Sequence, residues 1–280
     1  MEKLLIVDGS NLLFQMFYGM PARILNSQGK AIQGTLGFVG ALLKIIRMVR
    51  PTHMAVLFDG ECENQRKQLD TDYKANRPDY SQMEEDDTPF SQLPDIYKAL
   101  DALGICHRET DTCEADDWIA GYARMYGDSI HTVIASQDSD FFQLITDKVN
   151  ILRYRGDRTV LGNCAYIQEK LGITPTQYAC FKSMTGDTAD NIRGADRIGP
   201  KTAAWLLSQF GTLEGIIENA PDIAKPSIRE SVLRNAQRLR KNRELIYLPG
   251  CQTLPFTIEE LAYQYNGMTT TQVLQTIGIR

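Results

Sequence analysis

The sequence predicts an α/β fold, with a mostly parallel central sheet flanked by helices and a helical lobe at the C-terminal end. Three observations predict it. Short β-rich runs alternate with longer amphipathic stretches through the first part of the chain, the β-runs cease after about Gly162, and the remainder reads as helices broken by Gly and Pro. The β-runs are Leu4 to Val7, Met54 to Phe58, a weaker Ile105 to Arg108, Thr132 to Ala135 and Val149 to Tyr154. Gly34 to Val49 carries apolar residues at helical spacing and stops before Pro51, and Asp95 to Leu103 and Asp116 to Tyr126 read as further crossover helices. Two regions follow, a sheet-bearing core over 1–165 and a helical lobe over 166–280. Asn76 to Leu93 is polar, holds two prolines and is long for a connection in an α/β unit, which makes it a lid, an arch or a disordered loop.

With 280 residues and 43% hydrophobic content the chain can bury a core without staples. Its six cysteines (Cys62, Cys106, Cys113, Cys164, Cys180, Cys251) form no CxxC pair and have no run of His beside them, so neither a zinc site nor a disulfide framework is expected. They read as reduced thiols of a cytoplasmic protein. The opening MEKLLIVDGSN passes from a short apolar run into polar residues, and no stretch reaches bilayer length, so neither secretion nor a membrane partner is expected.

Acidic residues stand where an open α/β sheet forms its sites, beyond the carboxyl ends of the strands. Asp8 follows LLIV, Asp59 follows AVLF, Asp138 and Asp140 follow TVIAS, and Glu114, Asp116 and Asp117 open the helix after the third run. Asp187 and Asp190 in GDTADN are spaced i, i+3, which puts them on one face if that stretch is helical. Taken singly, each reads first as an N-cap, a dipole partner or a turn former. Together, nine carboxylates at one edge repel one another and raise their own pKa values unless cations neutralise them. With only three His and no Cys spacing, hard divalent cations on oxygen ligands are implied. Two such ions can clamp the attacking and departing oxygens of a phosphodiester. The net charge of −5 fits this reading, because setting those nine aside from the 35 acids leaves 26 against 30 Lys and Arg.

Arg66, Lys67, Tyr73, Lys74 and Arg77 lie between the second strand and the polar segment. They are a solvated helix face, or a phosphate-binding group in which Tyr73 offers a base-stacking ring. Lys74 and Arg77, three apart, would share a helix face over the acids. Gly194, Gly199, Lys201 and Thr202 in RGADRIGPKTAAWLL form a glycine-bearing turn that runs into a helix and can bind an anion. It is not a Walker A loop, since Pro200 precedes the Lys. Lys225 to Arg243 is basic but mixed and reads as a solvated helix.

These motifs carry a family resemblance over nearly the whole chain. VDGSNLLF, LFDG, QRKQLDTDYKANRP, EADD, SQDSD with FFQL, GDTADNI and GADRIGPKTA resemble, in order, the motifs of the 5′ nuclease (flap endonuclease) superfamily, whose core is PIN-like. The similarity is greatest to the bacterial 5′→3′ exonuclease domain that opens DNA polymerase I and to its stand-alone relatives; with no polymerase sequence following, the stand-alone form is expected. The resemblance implies hydrolysis at or near DNA 5′ ends, flaps or nicks with two Mg²⁺ or Mn²⁺ ions, by a monomer. It implies that Asp8, Asp59, Glu114, Asp116 and Asp138 hold the first ion, that Asp140, Asp187 and Asp190 hold the second, with Asp138 close to both, and that Asp117 supports the cluster. Lys74 and Arg77 would grip the scissile phosphate at the foot of a helical arch near 77–93, beside Tyr73, with Arg66 in the same DNA-contacting segment. The turn from Gly194 to Lys201 would be a helix-hairpin-helix-type element holding duplex DNA, with a K⁺ ion. The sequence departs from the pattern at Gln15 (commonly Arg), Gln65, Asp70 and Arg193, and in the acidic run Glu84 to Asp87, which bear on affinity and substrate preference. Two rival readings are a DNA-binding protein that does not cleave and a nuclease of the same sheet that cuts RNA. Intact Asp187 and Asp190 speak against the first, and the glycine turn against the second.

Overall fold

The computed structural model describes residues 2–60, 65–80, 83–84 and 87–279, with Gln65 described by its backbone alone. Cys62, Glu85, Asp86 and the Gln65 side chain therefore lie outside the described residues. The five β-runs form strands β1 (Lys3–Asp8), β2 (His53–Phe58), β3 (Cys106–Glu109), β4 (His131–Ala135) and β5 (Val149–Arg153). They pair in parallel in the order β3-β2-β1-β4-β5, and a sixth strand, β6 (Val160–Gly162), adds antiparallel to β5. The sequence reading did not anticipate β6, whose three residues are too few to show a period.

Alternation along β1 divides the core in two. Leu4 and Ile6 face a cluster shared with the C-terminal lobe, while Leu5 and Val7 face one built on the opposite helices. The second face is covered by α1 (Gly9–Gly19), α2 (Gln33–Val49) and, after α3 (Gln65–Leu69), by α4 (Leu93–Leu103). Helix α1 was not expected, because apolar and aromatic residues at most of its positions blur any single stripe. The first face takes α5 (Ala115–Tyr126) and the lobe helices α6 (Cys164–Leu171), α7 (Tyr178–Thr185), α8 (Pro200–Phe210), α9 (Leu213–Glu218) and α10 (Pro226–Ile246). The short hairpin β7 (Gly186–Asp187) and β8 (Ile192–Arg193) joins α7 to α8.

The last residues leave the lobe and return to the core. The Met54 N–H donates to Leu261 O and the Tyr263 N–H to Thr52 O (2.9 and 2.8 Å), and α11 (Thr270–Thr276) packs on α2 and α4. A lobe running unbroken from 166 to 280 is thus not what forms. The expected helical arch also differs, since no α-helix occurs among the described residues between α3 and α4. Two prolines and an acidic run leave no apolar stripe there. Tyr80 and Phe90 instead meet Phe14 of α1 edge-on at 5.9 and 5.6 Å between centroids, and Arg23 pairs with Asp87 at 2.8 Å. Among the described residues no helix is long and apolar enough to cross a membrane.

Candidate metal centre

Parallel strands must all end at one edge, and the ends of β1, β2 and β4 each supply a carboxylate held by local capping chemistry. Asp8 closes β1 and caps α1, accepting the Asn11 N–H at 3.0 Å, while its other oxygen accepts Ser136 Oγ–H at 2.8 Å. Asp59 follows β2; its N–H donates to Ser10 Oγ (2.8 Å) and its Oδ1 accepts the Ala115 N–H that opens α5 (2.9 Å). After β4, Ser136 Oγ accepts the Asp138 N–H at 3.0 Å, and Asp138 Oδ1 accepts the Asp140 N–H at 2.8 Å. Asp116 and Asp117 lie in the first turn of α5, with Glu114 at its cap. Capping does not use up these side chains, because a carboxylate has oxygens enough for a further ligand.

Burial and like charge together work against ionisation. Burial, then the neighbouring Asp59 charge, pushes Asp8 up to about 7. Burial, then Asp138, holds Asp116 well above the usual carboxylate range, and burial, then Asp138, does the same to Asp140. Asp138 is raised by burial, countered by its bond from the Asp140 N–H and reinforced by Asp190. Asp138 thus senses both groups of acids.

The second group forms around the hairpin. One carboxylate oxygen each from Asp140, Asp187 and Asp190 lie within 4.8 Å of one another. The Asp187–Asp190 pair is not helical as the i, i+3 spacing predicted; Asp187 ends β7 and Asp190 sits in the four-residue turn before β8, so hairpin register brings them together. Asp140 Oδ1 is buried with no hydrogen-bond partner, an arrangement that costs on the order of 1–3 kcal/mol. An oxygen without a hydrogen bond among three acids, with Lys182 Nζ no nearer than 3.7 Å and no His or Cys among the ligand atoms, fits a hard divalent cation.

Four basic side chains engage these acids. Lys74 Nζ reaches Glu114 Oε1 at 2.6 Å, and Arg77 reaches Asp190 Oδ1 at 3.0 Å. Their common helix face is not found. Lys74 lies in a turn with φ +56°, its N–H donating to Asp190 O at 3.0 Å. That turn is stapled to the hairpin by Asn76 Nδ2 on Thr188 O and Asn191 Nδ2 on Asp72 O, both 2.8 Å. Burial opposes the Lys74 charge, but Tyr73, Glu114 and Asp116 more than offset it, so its pKa is raised. Lys182 of α7 pairs with Asp187 and stands 3.7 Å from Asp140 Oδ1. The sequence reading missed it, and a lone Lys in the apolar run YACFKSMT was the one available signal.

Arg66 and Tyr73 are corrected in role. The Arg66 guanidinium lies inside the fold, donating to Glu114 (2.6 Å), to both oxygens of Asp117 (3.0 and 2.7 Å) and to Leu245 O (3.1 Å), so its donors serve the cluster and not DNA. The Tyr73 ring is 4% exposed, packed with Ala179, Ile192, Leu245 and Ile246 under the Lys74 ammonium, and is no stacking platform. Farther along, a Cβ on Gly194 would meet Met184 O at 2.4 Å, so glycine is needed where β8 crosses the end of α7. Gly199 caps α8, Lys201 is exposed and Thr202 half-buried in its first turn. Gln15 donates to Tyr154 O (2.8 Å), and Asp70 pairs with Lys241 (2.9 Å).

Comparison with known proteins agrees with this arrangement. Residues 3–172 match the 5′-3′ exonuclease N-terminal resolvase-like domain, and residues 173–268 the 5′-3′ exonuclease C-terminal SAM fold. The chain is 34% identical to DNA polymerase I of Rhizobium leguminosarum, across 99% of this chain and 27% of that protein. Against the thermostable DNA polymerase I of Thermus aquaticus it is 33% identical, across 87% of this chain and 28% of that one. It spans roughly a quarter of the length of these relatives. A bacteriophage T5 flap endonuclease, solved as a pseudo-enzyme-product complex with DNA and metal ions, superposes with a TM-score of 0.73 at 25% identity, covering 89% of this chain and 90% of that chain. The catalytic core of Rad2 in complex with a DNA substrate shares the fold alone, with a TM-score of 0.58 at 13% identity over 99% and 92% of the two chains. By sequence over both halves and by fold, the chain belongs to the 5′-3′ exonuclease family and is a nuclease.

Proposed function

We propose that this nuclease hydrolyses phosphodiester bonds at or near DNA 5′ ends, as a 5′→3′ exonuclease and flap endonuclease, using two Mg²⁺ or Mn²⁺ ions. One observation carries the proposal: two groups of acids meet at Asp138, one on the strand ends and one completed by the β7–β8 hairpin. Asp8, Asp59, Glu114, Asp116 and Asp138 would hold the first ion and Asp140, Asp187 and Asp190 the second. When bound, the ions supply an activated water and neutralise the leaving oxygen.

The chain's own residues do the rest. Arg66 and Asp117 fix Glu114 in place through a buried, fork-shaped pair. Lys74 and Arg77 converge on the cluster from one stapled turn, and both carry charge suited to a phosphate whose own charge is building in the transition state. The turn from Gly194 to Lys201, with Thr202, offers an exposed glycine at Gly199 and a cation to duplex DNA, and would be the site of a K⁺ ion. The bacteriophage T5 structure, with DNA and metal ions bound on the same fold, supports a DNA substrate. We read the enzyme as a cytoplasmic monomer. The test is cleavage of 5′-labelled flap, nicked and single-stranded substrates. Mg²⁺-dependent release of short 5′ products, abolished by EDTA, is expected; cleavage that persists in EDTA, or of RNA alone, overturns the reading.

A further inference from the structure

The segment that returns from α10 to the core passes over α5 and brings together two cysteines that are 138 positions apart in sequence. Cys113 Sγ and Cys251 Sγ stand 3.7 Å from each other, both half-buried and both reduced. The Cys106 thiol, by contrast, donates to Glu260 O at 3.3 Å, and Cys180 is buried. A cleft of about 780 Å³ opens onto the pair, walled by Gln68 and Leu69 of α3, Thr112, Glu244 of α10 and Tyr247. A space of that size admits a small organic molecule, so a solute can reach both sulfurs.

The two thiols are held unequally. Cys251 is pinned to α5: its N–H donates to Asp117 O at 2.9 Å, and a Cβ on Gly121 would meet Cys251 O at 2.5 Å, so the glycine lets the segment lie directly on the helix. On either side, Arg124 Nη2 donates to Leu248 O (2.7 Å) and the Tyr122 hydroxyl to Phe256 O (2.9 Å). Cys113 ends the bend over 111–113, where Asp111 and Thr112 are exposed, and the next residue is Glu114 at the cap of α5. An S–S bond is about 2.05 Å long, so forming one asks these sulfurs to approach by about 1.7 Å. The pinned side gives least. The movement therefore falls on Cys113 and on Glu114 beside it, whose carboxylate is gripped by Lys74 and Arg66.

We propose that Cys113 and Cys251 form a redox-modification site, in which a low-molecular-weight disulfide oxidises the pair to an intramolecular disulfide and the new bond loosens the hold of Glu114 on the first metal ion. The inference rests on the assignment of Glu114 to that ion above. One cysteine attacks a sulfur of RS–SR, forming a mixed disulfide and expelling RS⁻, which takes up the proton that the cysteine loses; the second cysteine then displaces the other RS⁻ in the same way. Two protein thiols lose two electrons and two protons, and the small disulfide is reduced to two RSH. In a cytoplasmic protein such a bond is transient and reports redox state. The whole protein is to be treated with oxidised glutathione and its linkages mapped by peptide mass spectrometry, with Mn²⁺ binding measured by calorimetry before oxidation, after it and after re-reduction. A Cys113–Cys251 linkage is expected, with Mn²⁺ affinity lowered about tenfold, the low end for disturbing the support of a metal ligand, and regained on re-reduction. C113S and C251S should each bind Mn²⁺ as the reduced wild type does and ignore the oxidant, while C164S should respond like the wild type. Absence of the linkage, or its formation with Mn²⁺ affinity unchanged, overturns the switch. A reduced protein that binds Mn²⁺ but cleaves no flap DNA overturns the nuclease reading and leaves the switch standing, and one that binds no Mn²⁺ overturns both.

Discussion

The two halves of the acidic cluster are built by different means. The first group hangs on strand ends, where Asp8, Asp59 and Asp138 are each tied to a neighbouring backbone N–H or hydroxyl within a few residues of a buried β-run. The second draws Asp140 from the sheet, but Asp187 and Asp190 from a two-residue-per-strand hairpin that holds its place through Lys182, Arg77 and the Asn76 and Asn191 staple. One half is held by the sheet itself. The other depends on long-range polar contacts, each contributing roughly 0.5–1.5 kcal/mol, and is the part that substitution can loosen.

That contrast can be broken most sharply at the hairpin acids. D187A/D190A is expected to lower single-turnover cleavage in saturating Mg²⁺ by roughly 10³-fold or more, the scale of losing a metal worth several kcal/mol. Flap affinity in Ca²⁺ should hold, since fewer carboxylates face the phosphates. An unchanged cleavage rate would show that the second group is not needed.

The buried acids also make a pH prediction for the metal-free protein. Asp8, Asp116, Asp138 and Asp140 have folded pKa values raised above the unfolded carboxylate range, so between about pH 4 and the folded values the native state binds more protons than the unfolded chain. Stability must then fall as pH rises through that window, which for Asp8 extends to about 7. In EDTA, thermal unfolding should show a loss on the order of a few kcal/mol between pH 5 and 8, and Mg²⁺ should remove most of that slope by neutralising the ionised group. A metal-free Tm that rises across this range would contradict the arrangement.

Lys74 tests whether the two halves share one substrate-facing cation. It pairs with Glu114 of the first group, while its N–H holds Asp190 O of the second. K74A is expected to cost roughly 10²-fold in the single-turnover rate, the scale of one preorganised charge, with only a modest loss of affinity. K201A should do the opposite. If K74A cleaves at the wild-type rate once saturated, Lys74 belongs to folding and not to the reaction.

The smallest effect is expected at the staple. Replacing Asn76 by Ala and Asn191 by Gly, which keeps the left-handed φ of +58° at that position, removes two long-range bonds without touching a carboxylate. The Mg²⁺ concentration for half-maximal cleavage should rise about tenfold, equivalent to about 1.4 kcal/mol, while the rate at saturating Mg²⁺ stays near the wild type. A lowered rate that excess Mg²⁺ does not restore would mean the staple positions Lys74 or Arg77 instead.

The sequence by itself determined the five parallel strands of the sheet and the first half of the site. An apolar run such as LLIV followed by Asp places that Asp at a strand's carboxyl end, and parallel strands share that edge whatever the helices between them do. Glu114, Asp116 and Asp117 were legible for the same reason, as the opening of a helix that follows a strand. What only the tertiary structure decided was the company each polar side chain keeps. Tyr73 and Arg66 read as exposed because their neighbours in sequence are polar, yet Leu245 and Ile246, some 170 residues later, cover them. Lys182 joins the site because α7 packs beside the turn that follows β4, and the i, i+3 pair Asp187 and Asp190 converges through hairpin register, not a helix. Periodicity reports which face of an element is buried. It carries no information on what distant segment lies against that face, and for a charged side chain that neighbour settles whether it meets solvent, a partner acid or a phosphate.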